Sequence, residues 1–155
     1  MKIRRYKPGE EKEIWKLFYN TVHCINSRDY TPKQISAWAP DNQDMTKWTE
    51  RLVSKNPFVA IIYSEIAGFA ELEKNGHIDC FYCAYTWQRK GVGSALLKHI
   101  ENEARLMNIQ KLFTEASITA VLFFEKSGFS TIKENRVELR GVEFSNFLME
   151  KLICS

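Results

Sequence analysis

The stretch YTWQRKGVGSALLKHIENEA, residues 85–104, takes the end of a strand through a turn holding two glycines two apart and then directly into a long helix. Such a turn is built for anions. Glycine tolerates positive φ and lets a ligand approach the backbone closely. The first turn of the helix points unpaired N–H groups, and the positive end of its dipole, at whatever the loop holds. Gln88, Arg89 and Lys90 add polar and cationic side chains at its edge, so a diphosphate is the natural guest. A Walker A loop would need GxxxxGK followed by Ser or Thr, and a dinucleotide fingerprint would need a third glycine where Leu96 stands. A glycine loop that only turns a corner is the plain structural alternative.

Upstream of that stretch, FVAIIY, IAGFAELE and HIDCFYCA are β-rich runs separated by Ser64 and Glu65 and by Asn75 and Gly76, the second break being a type I′ hairpin signal. The opening third reads as helical after a short strand over residues 2–6. Pro8 at an N1-like position opens a helix with Ile14, Leu17, Phe18 and Val22 on one face. Thr31 caps a second that Pro40 stops, and Asp44 starts a third carrying Met45, Trp48, Leu52 and Val53. Downstream, a helix from Gly91 to about Met107 sets Val92, Ala95, Leu96, Ile100 and Leu106 on one side. LFTEA reads as a strand, TAVLFFEKSG as a helix, and strands over about 129–138 and 143–152 complete the chain. This order predicts an α/β domain with one mixed, mostly antiparallel twisted sheet and helices on both faces.

The 155 residues, 45% apolar and 26% charged, describe a single domain that spans the chain and is large enough to bury a core. Lys and Arg number 22 against 19 Asp and Glu, a net +3 that supplies no general field for nucleic acid or a membrane, and neither is expected as a partner. MKIRRYKPGE runs into the charged EKEIWKLFYN where an export signal would need an apolar segment, so a cytoplasmic location is expected. Cys24, Cys80, Cys83 and Cys154 need not form a disulfide framework. Cys80 and Cys83 stand three apart on a strand and point to opposite faces, so they read as small buried hydrophobes and no metal site is expected.

QRKGVGSALL resembles the Q/RxxGxG/A signature, motif A, of the GNAT superfamily of N-acetyltransferases, and the element order is similar too. SITAVLFFEKSGF resembles the family's motif B, with Ala120, Glu125, Gly128 and Phe129 matching. DYTPKQISAWAP, the IDCFY strand and RGVEFSNFLMEK look like the YafP-type subgroup of uncharacterised acetyltransferases. The resemblance implies a GNAT-like fold that takes acetyl-CoA, with a bulged fourth strand and a splay between the fourth and fifth strands admitting the pantetheine arm. It implies cofactor contacts from Gln88, Arg89, Lys90, Gly91, Val92, Gly93 and Ser94, and carbonyl-polarising N–H groups near Phe81 to Cys83. Two positions depart from the pattern. Phe124 stands where many relatives have the Tyr that protonates the leaving thiolate, and Ser117 where an Asn often holds the pantetheine arm.

Direct transfer to an amine requires a proton acceptor, a polarised thioester and a stabilised thiolate. By the resemblance, His77 falls where histone acetyltransferases of the superfamily carry a catalytic Glu, and an ordinary imidazole pKa near 6.5 suits the role. Asp79 and Glu115 are alternative bases, and Tyr82 and Tyr85 are the nearest phenols. His23, Tyr30 and Trp38 lie where the resemblance puts the acceptor pocket, while Trp48 reads as core. The expected activity is therefore acetyl transfer from acetyl-CoA to a primary amine, of a small molecule by preference. A protein or peptide amine and a non-catalytic acyl-CoA-binding module are the alternatives, and sheet edges leave a homodimer open.

Overall fold

The computed structural model describes residues 1–153, and Cys154 lies outside them. The elements run β1 (Lys2–Arg5), α1 (Glu11–Cys24), α2 (Pro32–Trp38), α3 (Met45–Lys55), β2 (Phe58–Ile62), β3 (Glu65–Leu72), β4 (Ile78–Cys83), α4 (Val92–Leu106), β5 (Lys111–Ala116), α5 (Val121–Lys126), β6 (Ser130–Leu139) and β7 (Val142–Leu152). The order is as the sequence predicts, but the single sheet opens into two. One is four-stranded, β1-β2-β3-β4, the other three-stranded, β5-β7-β6, and every ladder within them is antiparallel. Between β4 and β5 the pairing is one parallel bridge, His77 with Phe113.

Each sheet face needs an apolar cover, and two cores provide it. Ile14, Phe18, Trp48 and Leu52 of α1 and α3 pack with Val59 and Phe69 on one side. Val92, Leu96, Leu97, Ile100 and Ala104 of α4 pack with Ala60, Ala70, Leu112 and Phe124 on the other. Val53 and Leu106, expected on buried faces, are 62% and 78% exposed. α3 and α4 turn narrower apolar stripes inward than an unbroken count of apolar residues suggests.

Local signals hold where a side chain supplies the cap. Thr31 and Gln34 form a capping box at α2, and Asp44 accepts from the N–H groups of Thr46 and Lys47 at α3. Pro8 lies in the turn before α1 instead of opening it, because Gly9 follows at φ +103° and breaks the helical path. Asn75 and Gly76 do turn β3 into β4, yet only Gly76 has positive φ, so the turn is not type I′. The two-residue turn with both φ positive is Tyr63–Ser64, between β2 and β3. Gly76 is needed for close approach, since a Cβ there would lie 2.1 Å from the Lys111 carbonyl oxygen.

Candidate active site

Because the two sheets touch at one bridge and then part, a cavity of about 500 Å³ opens between the ends of β4 and β5. The edge of β4 beyond the bridge has no strand ladder toward β5, so its backbone groups there can meet an extended ligand. A β-bulge shapes this edge. Ala70 pairs with Phe81 and Leu72 with Ile78, so Glu71 alone faces both Asp79 and Cys80. The extra residue reverses the alternation: Ile78, Phe81 and Cys83 face the α4 core, whereas Cys80 and Tyr82 face the α1 core.

Arg51 of α3 clamps the bulge from behind. Its guanidinium donates to both carboxylate oxygens of Glu71, at 2.6 and 3.2 Å, and to Asp79 at 2.9 Å. Glu71 is fully buried, so this pairing is what allows its charge inside the protein. Lys55 also reaches Asp79, at 3.2 Å. Burial acts to raise the Asp79 pKa, but Arg51 and Lys55 outweigh it and hold the carboxyl below its ordinary range.

At the other side of the cavity, Gln88 staples the loop by donating its amide to the Cys83 and Ala84 carbonyls, at 2.9 and 3.2 Å. Arg89 and Gly91 both take positive φ, and Gly91 is the cap residue of α4. Unlike α2 and α3, α4 has no side chain on its first N–H groups. The space where a Gly91 Cβ would point is open for 4 Å. Gly93 serves packing instead, as a Cβ there would come within 3.0 Å of the Phe123 ring. The result is a set of outward backbone donors with Arg89 beside them, which fits a diphosphate.

All of the residues expected at the site line this cavity except His23, His77, Tyr85 and Lys90: Asp79, Phe81, Tyr82, Cys83, Gln88, Arg89, Gly91, Val92, Gly93, Ser94, Glu115, Ser117, Phe124, Tyr30 and Trp38, with Tyr85 exposed outside it. His23 is turned away, its Nε2 2.9 Å from the Ala39 carbonyl and its ring stacked on Tyr19. Lys90 is on the exposed outer side of the loop. His77 sits behind the cavity wall at the neck of the splay, stacked on Phe113 and held at both nitrogens, Nδ1 by Glu73 and Nε2 by Glu115 at 2.7 Å. Burial acts against charge on this ring, yet the two carboxylates outweigh it and raise its pKa above 6.5. Of the three bonded residues, Glu115 is the one on the cavity wall.

Tyr82 and Trp38 form a pair, the indole Nε1–H donating to the phenol oxygen at 3.1 Å. Burial pushes the Tyr82 pKa well above the ordinary phenol value, so the hydroxyl keeps its proton. Phe124 is a wall of the cavity and also core, packed on Phe81, Phe123 and Phe129. The Ser117 hydroxyl accepts from the Ala120 N–H at 3.2 Å and caps a 3-10 turn. Cys83 lines the cavity with burial raising its pKa to about 12, which makes it a neutral thiol wall.

Sequence reasoning missed the contribution of β6 and β7. Val137, Leu139, Phe144, Ser145 and Asn146 close the cavity on the side opposite the loop. For the three β7 residues the signal is only the alternation within FSNFLM, and no local motif says that this strand returns beside β5 with β6 along its other edge.

Known proteins share the family and the fold. Residues 26–151 match the family model of the acetyltransferase (GNAT) domain. The chain is 39% identical over 149 residues to the uncharacterised N-acetyltransferase YafP of Escherichia coli K12, covering 96% of this chain and 94% of that one. A GCN5-related N-acetyltransferase structure from Rhodopseudomonas palustris superposes with a TM-score of 0.93 at 28% identity, over 97% of this chain and 94% of its own. The PaiA N-acetyltransferase of Thermoplasma acidophilum, solved with coenzyme A, shares the fold at a TM-score of 0.80 and 18% identity, over 97% of this chain and 98% of its own.

Proposed function

This chain belongs to the GNAT family of N-acetyltransferases, and from that premise we propose that it moves the acetyl group of acetyl-CoA directly to the primary amine of a small molecule. The observation that carries the reading is the uncapped start of α4 opening, with Gly91 and Arg89, onto the same cavity as the free edge of β4. When bound, acetyl-CoA supplies an activated thioester carbonyl whose acyl group an amine can accept.

The N–H groups at the start of α4, with Arg89, hold the diphosphate, and the open edge of β4 near Phe81 and Cys83 orients the arm and polarises the carbonyl. Glu115 takes the proton from the acceptor amine at its carboxylate oxygen, and His77, bonded behind it, keeps that carboxylate aimed into the cavity. Asp79 is the less available carboxylate in this reading because Arg51 and Lys55 both hold it, whereas Glu115 is bonded to His77 alone among the described residues. Phe124 has no proton to give, so the Tyr82 hydroxyl, whose oxygen already accepts from Trp38, is the protonated group available to the leaving thiolate. Family membership and the YafP relationship do not favour a purely regulatory module.

The test is titration of the protein with acetyl-CoA, coenzyme A and NADH, followed by amine-dependent thiol release. Selective stabilisation by both coenzyme A species is expected, by about 2.7 kcal/mol at 100 times Kd. Absence of that selectivity, or of saturable thiol release with any small amine, would overturn the proposal.

A further inference from the structure

The half of the cavity remote from the α4 loop is walled by aromatic rings. Tyr30 meets Trp38 edge-on at 5.2 Å between centroids, and Phe144 lies 6.1 Å from both. The polar atoms of this wall are already engaged. The Tyr30 hydroxyl accepts from the Ile118 N–H at 2.8 Å and faces the Ser145 carbonyl, while the Trp38 N–H is given to Tyr82. What remains toward the cavity is flat apolar surface, which suits an aromatic body.

One buried side-chain atom on this wall is left over. Asn146 Oδ1 is buried and has no hydrogen-bond partner among the described residues. Ala116 pairs with Phe147, and both pack toward the α4 core; alternation therefore puts Asn146 on the opposite face, together with Phe144 of the α1 core. Phe144 and Asn146 both line the cavity. A buried carbonyl-type oxygen ordinarily has a donor, and an orphan at a cavity wall points to one supplied by a ligand.

Charge narrows the class further. Among the described residues lining the cavity Arg89 is the cation, and it belongs to the loop end, so this half offers nothing to an acceptor carboxylate. Asp79 is held by both Arg51 and Lys55 and Glu115 by His77 alone, so Glu115 serves the reacting amine and no unpaired carboxylate is left among the described lining residues for a polycation.

Building on the acetyl-transfer reading, we infer that the acceptor is an arylalkylamine whose ring system carries an N–H or O–H, and that Asn146 Oδ1 accepts that hydrogen bond. Asn146 is thus a specificity-determining residue.

Tyramine and phenethylamine differ by one phenolic O–H, and calorimetric titration of each into the protein saturated with free coenzyme A tests the inference. Wild type should bind tyramine about tenfold tighter. Asn146→Leu should bind both alike, at the wild-type phenethylamine affinity and with unchanged coenzyme A affinity. Asn146→Asp keeps an accepting oxygen and should retain the preference. Equal wild-type affinities, a preference that survives in Asn146→Leu, loss of coenzyme A binding in that variant, or binding of spermidine or an alanyl peptide in place of both amines would each overturn it. Tight tyramine binding without formation of N-acetyltyramine from acetyl-CoA would sink the transfer reading, and with it the acceptor role, and leave standing only the assignment of Asn146 Oδ1 to the ring N–H or O–H of a bound arylalkylamine. If coenzyme A itself does not bind, the same titrations on the free protein decide the inference by the same criteria.

Discussion

A carboxylate at position 91 would separate the two things the start of α4 does. Gly91 holds φ at +83°, where any side chain strains the backbone, so Gly91→Asp should lower stability by about 1 kcal/mol, partly offset by its charge at the positive end of the helix. It also occupies the open space above the helix N–H groups with a negative charge, and acetyl-CoA affinity should fall by about tenfold or more. Calorimetry and a melting curve read the two effects apart; unchanged affinity would remove the diphosphate assignment. His77 gives a second prediction at this scale. Its pKa is raised in the folded state, so its contribution to stability is full below the unfolded value near 6.5 and is lost as pH rises through the folded value. His77→Asn should flatten that alkaline decline in urea midpoints. The acid limb belongs in part to Asp79, whose lowered pKa gives stability that is present above its unfolded value and lost as pH falls through the folded one. An alkaline decline identical in His77→Asn would mean that the ring does not hold its proton between Glu73 and Glu115.

Among the elements, β4 owes its form to α3. Arg51→Leu would leave Glu71 buried and unpaired and release the bulged residues Asp79 and Cys80, at a cost of about 3–5 kcal/mol in urea unfolding. Adding Glu71→Gln should recover part of that loss, and a double variant no better than the single would show that the buried charge is not the reason. The bulge also marks how far the sequence could be read. The α4 loop, the Thr31 and Asp44 caps and both cores come from spacings within about a turn or two, and those are legible. Cys80 and Cys83 were legible as opposite-facing for the same reason. The bulge is not, because it depends on Glu71 meeting an arginine from another element, and FYC alternates equally well in either register. Tyr63–Ser64 took positive φ at both residues against composition, since the two-residue gap between the paired Ile62 and Glu65 favours the primed turns that match strand twist. Phe144 and Asn146 were invisible as site residues because β7 reaches the cavity only through its pairing with β5.

At the scale of the molecule, the two sheets share the α4 core and are joined by the His77–Phe113 bridge and by the Thr114 hydroxyl donating to the Ile78 carbonyl, and beyond these the cavity parts β4 from β5, so the site lies along the seam. A ligand filling it contacts β4 and α4 on one side and β5 and β7 on the other. Binding energy that depends on both sheets being in place stabilises their mutual arrangement, and local opening of one sheet away from the other then costs the ligand as well. Coenzyme A should therefore slow amide exchange at buried positions that lie away from the cavity wall, such as Leu112 of β5 and Met149 of β7, as well as around residues 85–94. The exposed edge strand β6 should gain least toward its Ser130 end, where it lies far along the ladder from Val137 and Leu139. Exchange mass spectrometry with and without coenzyme A distinguishes the cases. Protection confined to the loop would mean that the diphosphate is held without engaging the second sheet, and that the splay is a fixed gap and not a seam the ligand closes.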